Sequence, residues 1–164
     1  MNSPDQIECQ VLESLRIVAV DWSKSYPSDE ECTRAVKDAI GIVGEKLGYR
    51  IYASRCRFEA NGEWLFDMTW LDLRGEDLVG VPLALESEWS PREIWDDFEK
   101  LLVARADHRV FVYWQPSLSR ARTLAEELLE AARSFRSSRP GDRYLFACWV
   151  DEVERFEVRL SVLE

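Results

Sequence analysis

Glu86 and Glu88 stand two residues apart at the charged end of a short apolar run, Val81 to Glu88. Side chains two apart on an extended strand point to the same face, with Cβ atoms roughly 6 to 7 Å apart. Asp67 lies 19 residues before Glu86, inside the aromatic stretch Glu63-Trp64-Leu65-Phe66-Asp67-Met68-Thr69-Trp70. Burying an unpaired carboxylate there is costly, so Asp67 needs a metal, a basic partner or water. If its strand pairs beside the one carrying Glu86, three carboxylates gather at one end of a sheet. Such an oxygen-rich set suits Mg²⁺ or Mn²⁺, which bind through a few carboxylates and keep several waters. The chemistry available to that ion is hydrolytic, since it acidifies a water and stabilises charge on a phosphodiester.

The elements that would position these acids follow from hydrophobic periodicity. Ile7, Val11, Leu15 and Val18 recur at helical spacing and predict an amphipathic helix over about 7–20. Val36, Ile40, Val43 and Leu47 predict a second helix over 29–47, with Gly48 as its stop. The aromatic and branched runs Tyr49 to Phe58 and Glu63 to Leu73 flank Asn61-Gly62 and predict a hairpin turning there. A loop containing Gly75 and Gly80 precedes the buried strand over 81–88. Ser90-Pro91-Arg92-Glu93 carries the signature of a capped helix start, and that helix is expected to run to about Ala106. A strand over 109–114, a helix over 118–134 and a closing strand pair over 144–150 and 156–162 complete the series. The order implies a mixed central sheet flanked by helices, an α/β fold forming a single domain over 1–164.

A helix, a hairpin bearing Phe66-Asp67, a strand ending Glu86-Ser87-Glu88, a helix and another strand together resemble the core of the PD-(D/E)XK, restriction-endonuclease-like nuclease superfamily. The resemblance covers about residues 33–115, and its motif is short. It implies a Mg²⁺-dependent or Mn²⁺-dependent nuclease that hydrolyses phosphodiester bonds of DNA or RNA, with Asp67 and Glu86 as metal ligands. Glu88 stands where the family carries its activating lysine, a replacement found in some active restriction enzymes, and Phe66 replaces the family's leading proline. Lys100, on the helix after the motif strand, is the candidate substitute for that lysine. Its alternative is an exposed Asp96 to Lys100 ion pair worth a few tenths of a kcal/mol. Glu45, near the end of the second helix, matches the extra glutamate that many members give to the metal; its alternative is a plain surface residue. The competing functional reading is a catalytically inactive relative, serving as a binding or regulatory module through protein-protein contacts.

Composition narrows the classes around these readings. The balance of 31 acidic against 21 basic residues, a net charge of −10, opposes non-specific coating of a polyanion. Arg133, Arg136, Arg139 and Arg143 are the best local candidates for phosphate contact, or else ordinary partners of a helix C-terminus. Trp89 could stack on a base, although core packing is the commoner use of such a residue. Cys9, Cys32, Cys56 and Cys148 are scattered without CxxC spacing, and read as reduced thiols. His108 falls in a loop-like Ala106-Asp107-His108 turn with no neighbouring nucleophile and receives no role. No GxGxxG, Walker or HExxH motif is present, and no apolar run is long enough for a membrane span. The expected setting is therefore cytoplasmic, with nucleic acid, a protein partner or a second copy as a homodimer as the possible partners.

Overall fold

The structure, a computed structural model, describes residues 3–164. Helix α1 (Gln6–Trp22) starts with a capping box in which Asp5 accepts the Glu8 N–H and Glu8 accepts the Asp5 N–H. Val11, Leu15, Val18 and Trp22 form its buried stripe. Helix α2 (Asp29–Lys46) repeats the device with Ser28 and Glu31. Both helices cover one face of a six-stranded sheet made of β1 (Arg50–Ala53), β2 (Met68–Arg74), β3 (Asp77–Glu88), β4 (His108–Gln115), β5 (Arg143–Val150) and β6 (Arg155–Val162). Helices α3 (Ile94–Val103) and α4 (Leu118–Ser134) cover the other.

Strand order in the sheet is the order in the chain. The β1-β2, β2-β3 and β5-β6 pairs are antiparallel, whereas β3-β4 and β4-β5 are parallel and joined across α3 and α4. Strand alternation divides the core accordingly: Leu83, Leu85, Val110 and Val112 face α1 and α2, while Ala84, Phe111 and Tyr113 face α3 and α4. The expected α/β architecture with a mixed sheet is thus present. Among the described residues, no helix is long and apolar enough to cross a membrane.

Local readings required correction in four places. The strands on either side of Asn61-Gly62 do pair antiparallel, as expected, but not through a tight turn there: Glu59–Asn61 forms a 3₁₀ turn, and Asn61 donates its side-chain amide to the Ile51 carbonyl at 2.8 Å. The tight turn is at Gly75-Glu76, between the paired residues Arg74 and Asp77, where Gly75 adopts φ 66°. Strand β3 therefore begins at Asp77, and Gly80 lies within it opposite Asp72, next to a register shift. Ser90 does not cap α3, because residues 91–93 form a turn closed by Glu93 N–H to Ser90 carbonyl at 3.1 Å. His108 is a buried strand residue, not a loop residue.

Helix α2 lies unusually close to the sheet. A Cβ on Gly41 would stand 2.2 Å from the Phe58 ring, and one on Gly44 2.5 Å from the Trp70 ring. Lys37, Gly41 and Gly44 share one helical face by their spacing, so the same approach presses Lys37 against the sheet end.

Candidate active site

Met68 pairs with Leu85, and continuing that register by one residue sets Asp67 beside Glu86. Asp67 lies just ahead of β2 and accepts the Ser87 N–H at 2.9 Å, which fixes its carboxylate at the C-terminal end of β3. Glu86 faces α3 and is only 1% exposed. From α3, Lys100 reaches it, with Nζ 3.6 Å from Glu86 Oε2 and 2.5 Å from Asp97 Oδ1. The lysine's helical partner is therefore Asp97 and not Asp96, because a three-residue step from Asp97 follows the side of α3 that leans on the sheet end. Glu88 accepts the Ser90 N–H at 2.5 Å and shares a hydrogen bond with the Asp97 carboxyl.

The cluster holds more negative charge than its lysine compensates. Burial, then the Asp67 charge, pushes the Glu86 carboxyl up to about 8, even though Lys100 pulls the other way. Burial raises Glu88 to about 7, helped by its Asp97 contact and by the Glu93 charge. Asp67 is also raised by burial, against the Ser87 N–H and the Lys37 charge. Burial works against the charge of Lys100, yet its acidic neighbours lift it to about 12. Glu86 Oε1 is buried with no hydrogen-bond partner, as is Ser87 Oγ. A buried carboxylate oxygen so placed needs a proton or a cation.

In front of this cluster opens a cleft of about 550 Å³. Its sheet wall consists of Asp67, Ser87, Glu88 and Trp89, with Glu63 also lining it, and its helix wall is the N-terminal half of α2, where the acids Asp29 and Glu30 are followed by Thr33, Arg34 and Lys37. Ser54 and Arg55, in the loop after β1, close a third side. Glu86 is not part of these walls and lies behind Asp67. Trp89 is buried, donates its indole N–H to Thr33 at 2.9 Å and packs edge-on against Trp22 at 5.4 Å. It ties α2 to the end of β3 and is not free to stack on a base.

The acids expected from the sequence are therefore together, with one qualification of geometry. No three of Asp67, Glu86, Glu88 and Asp97 bring an oxygen each within 4.8 Å of one another. The register sets Asp67 beside Glu86, whose carboxyl feels the Asp67 charge, and Mg²⁺ is commonly held by only one or two carboxylates with waters completing the shell. The hard-oxygen donors and the orphaned Glu86 oxygen fit such an ion. Glu45 is exposed near the far end of α2 and does not line the cleft, because the helix presents Lys37, two turns earlier, to the site instead.

Two residues of the site were missed in the sequence, and the first is Lys37. It is 3% exposed, lines the cleft, and has neither a hydrogen bond nor an ion pair from its ammonium among the described residues. Its signal was a lysine on the stripe Lys37, Ile40, Gly41 and Gly44. Asp97 was missed as well.

Among the described residues one tighter donor group exists. Asp5, Glu8 and His108 place a ligand atom each within 4.8 Å of one another at the opposite end of the sheet. Its donors are engaged: His108 Nε2 lies 2.7 Å from Asp5 Oδ2, His108 Nδ1 lies 2.8 Å from the Pro82 carbonyl, and Arg143 forks onto Glu8 at 2.9 and 2.5 Å. A guanidinium seated on Glu8 makes this an ion-pair network and competes with any metal. Arg143 is thereby withdrawn from the expected arginine patch, while Arg133 pairs with Glu130 at 3.6 Å. Cys32, Cys56 and Cys148 are buried free thiols and Cys9 is an exposed one. Comparison of the chain with protein-family models, with curated proteins and with solved structures finds no match.

Proposed function

We propose that the cleft at the end of β3 is a divalent-cation-dependent site for hydrolysing phosphodiester bonds of nucleic acid, with Asp67 and Glu86 holding Mg²⁺ or Mn²⁺. The observation that carries this reading is Glu86, a buried carboxylate with one unpaired oxygen set beside a second carboxylate. The order α2-β1-β2-β3-α3-β4 supports it further, since it is the order that the PD-(D/E)XK resemblance implies. When bound, the cation supplies Lewis-acid polarisation of a phosphoryl oxygen and acidifies a water nucleophile. The chain's own residues bind and orient around it. Ser87 N–H holds Asp67 in place, Asp97 holds Lys100 against Glu86, and the Lys100 ammonium brings to this acidic cluster the charge that the family's motif lysine would have provided.

A second reading is favoured by a specific observation. Glu86 is almost wholly enclosed and stands behind Asp67, and Glu88 occupies the motif lysine's place, as expected of a relative that binds a partner without cutting. One experiment separates the two. Wild type, Asp67→Asn and Glu86→Ala are melted with EDTA or Mn²⁺ and incubated with single- and double-stranded DNA and RNA. Mn²⁺ at about 100 times its Kd should stabilise wild type by about 2.7 kcal/mol, with no effect on either variant, and only wild type should cleave. Absence of both a Mn²⁺ shift and cleavage would sink the hydrolytic reading in favour of the silent module.

A further inference from the structure

We propose that Lys37, flanked by Arg34 and Arg55, forms an anion subsite on the helix wall of the cleft that receives a phosphate group of a phosphate ester. This rests on the reading of the cleft as a phosphodiester site and adds how the anionic substrate is held there. Lys37 is 97% buried, taking its 3% exposure from the whole, yet nothing among the described residues accepts a hydrogen bond from its ammonium. Its charge is felt by the Asp67 carboxyl and the Cys56 thiol, but no acid among the described residues forms an ion pair with it. Its stem is enclosed while its ammonium opens on the cleft, so the charge is presented to whatever enters there and no protein group satisfies it. The close approach of α2 through Gly41 and Gly44 holds it there.

The surroundings suit an anion with several acceptor oxygens. Arg34 and Arg55 line the same cleft, both are exposed, and neither has an ion pair among the described residues. Arg55 is fixed in a left-handed conformation at φ 52°, and the loop that carries it is pinned to α2 by the Arg57 N–H on Asp38 at 2.8 Å. Ser54 gives its hydroxyl to Glu63, another lining residue, at 2.5 Å, so the three cations are the charged donors of the cleft. Phosphate accepts from lysine and from the arginine fork through charge-assisted hydrogen bonds. Five lining carboxylates, Asp29 and Glu30 on the same helix and Glu63, Asp67 and Glu88 elsewhere around the cleft, repel that same anion. A phosphate bound to Lys37 therefore lies beside the cation position at Asp67, with each ion offsetting the other's repulsion.

The test is isothermal titration of inorganic phosphate into wild type, Lys37→Met and the Arg34→Ala/Arg55→Ala double variant, with and without Mg²⁺, alongside melting in Mg²⁺ alone. Wild type should bind phosphate, more tightly with Mg²⁺ present. Lys37→Met should bind it about tenfold more weakly, the worth of one charge-assisted hydrogen bond, while keeping any melting shift from Mg²⁺. The double variant alters only exposed side chains, so it decides the matter if Lys37→Met fails to fold; weakened phosphate binding supports the subsite and unchanged binding overturns it. No phosphate binding by wild type in either condition, or equal binding by all folded variants, overturns the proposal. A Mg²⁺ shift without phosphate binding would remove the Lys37 subsite and leave the cation reading standing. Phosphate binding through Lys37 with no Mg²⁺ effect would do the reverse.

Discussion

Two groups of charged side chains sit at opposite ends of the same sheet and solve the burial of carboxylates in opposite ways. At the N-terminal ends of β4 and β5, Glu8 is 1% exposed and is held by Arg143, while Asp5 faces His108 and receives the Glu8 N–H. At the C-terminal end of β3, Glu86 is equally enclosed but has one oxygen unpaired, and its lysine divides its charge between Glu86 and Asp97. Burial tends to raise Asp5, but the Glu8 N–H, His108 and Arg143 outweigh it and bring that acid down. The same burial, unopposed by sufficient positive charge, lifts Glu86 and Glu88. The first arrangement pairs its carboxylates within the protein; the second leaves a carboxyl oxygen to be met by a proton or a cation. Perturbed acids of this second kind, at the carboxyl end of a parallel strand, are where binding chemistry is commonly found.

The comparison breaks most visibly if both ends respond alike to mutation. Glu8→Ala removes the partner of a largely enclosed arginine and a cap of α1, and should destabilise the protein by about 3 kcal/mol in urea unfolding. Glu86→Gln in metal-free protein should instead leave stability equal or raise it by about 1 kcal/mol at pH 8, because it removes a charge that the fold disfavours. A loss of about 2 kcal/mol or more at Glu86 would make the two clusters equivalent and mark Glu86 as structural.

The pH dependence of stability sharpens the contrast, because the signs differ. Glu86 is raised in the folded state from 4.5 to about 8, so metal-free protein should lose stability as pH rises across that window. Glu86→Gln should flatten this limb. Asp5 is lowered in the folded state, so its contribution is present above the ordinary carboxylate range and is lost as pH falls through its depressed value. Asp5→Asn should flatten the acid limb and leave the alkaline one unchanged. Melting curves of the three proteins in EDTA from acid to mildly alkaline pH measure both effects. The smallest expected change is at Glu45, which is exposed and outside both clusters. Glu45→Ala should alter stability by less than about 0.5 kcal/mol and leave any Mn²⁺ shift intact; loss of the Mn²⁺ shift would return this residue to the site.

Periodicity alone determined much of this molecule, because one-sided burial stamps a regular pattern on the chain wherever an element lies on a core. The apolar repeats of α1, α2 and α4 and the buried strands β3 to β5 are all of this kind. The spacing of Glu86 and Glu88 fixed their common face, since alternation is a property of the strand itself. Which charges meet which was decided only in three dimensions. His108 and Asp5 are 103 residues apart and Arg143 and Glu8 are 135 apart, so no local pattern could announce either pairing. Lys37 became a cleft residue because Gly41 and Gly44 let α2 close onto the sheet end. Asp97, not Asp96, met Lys100 because the packing of α3 selects the side of the helix that faces Glu86. Composition and periodicity place a residue on a face, but electrostatic partners are set by the distances between faces, and those exist only once the layers have packed.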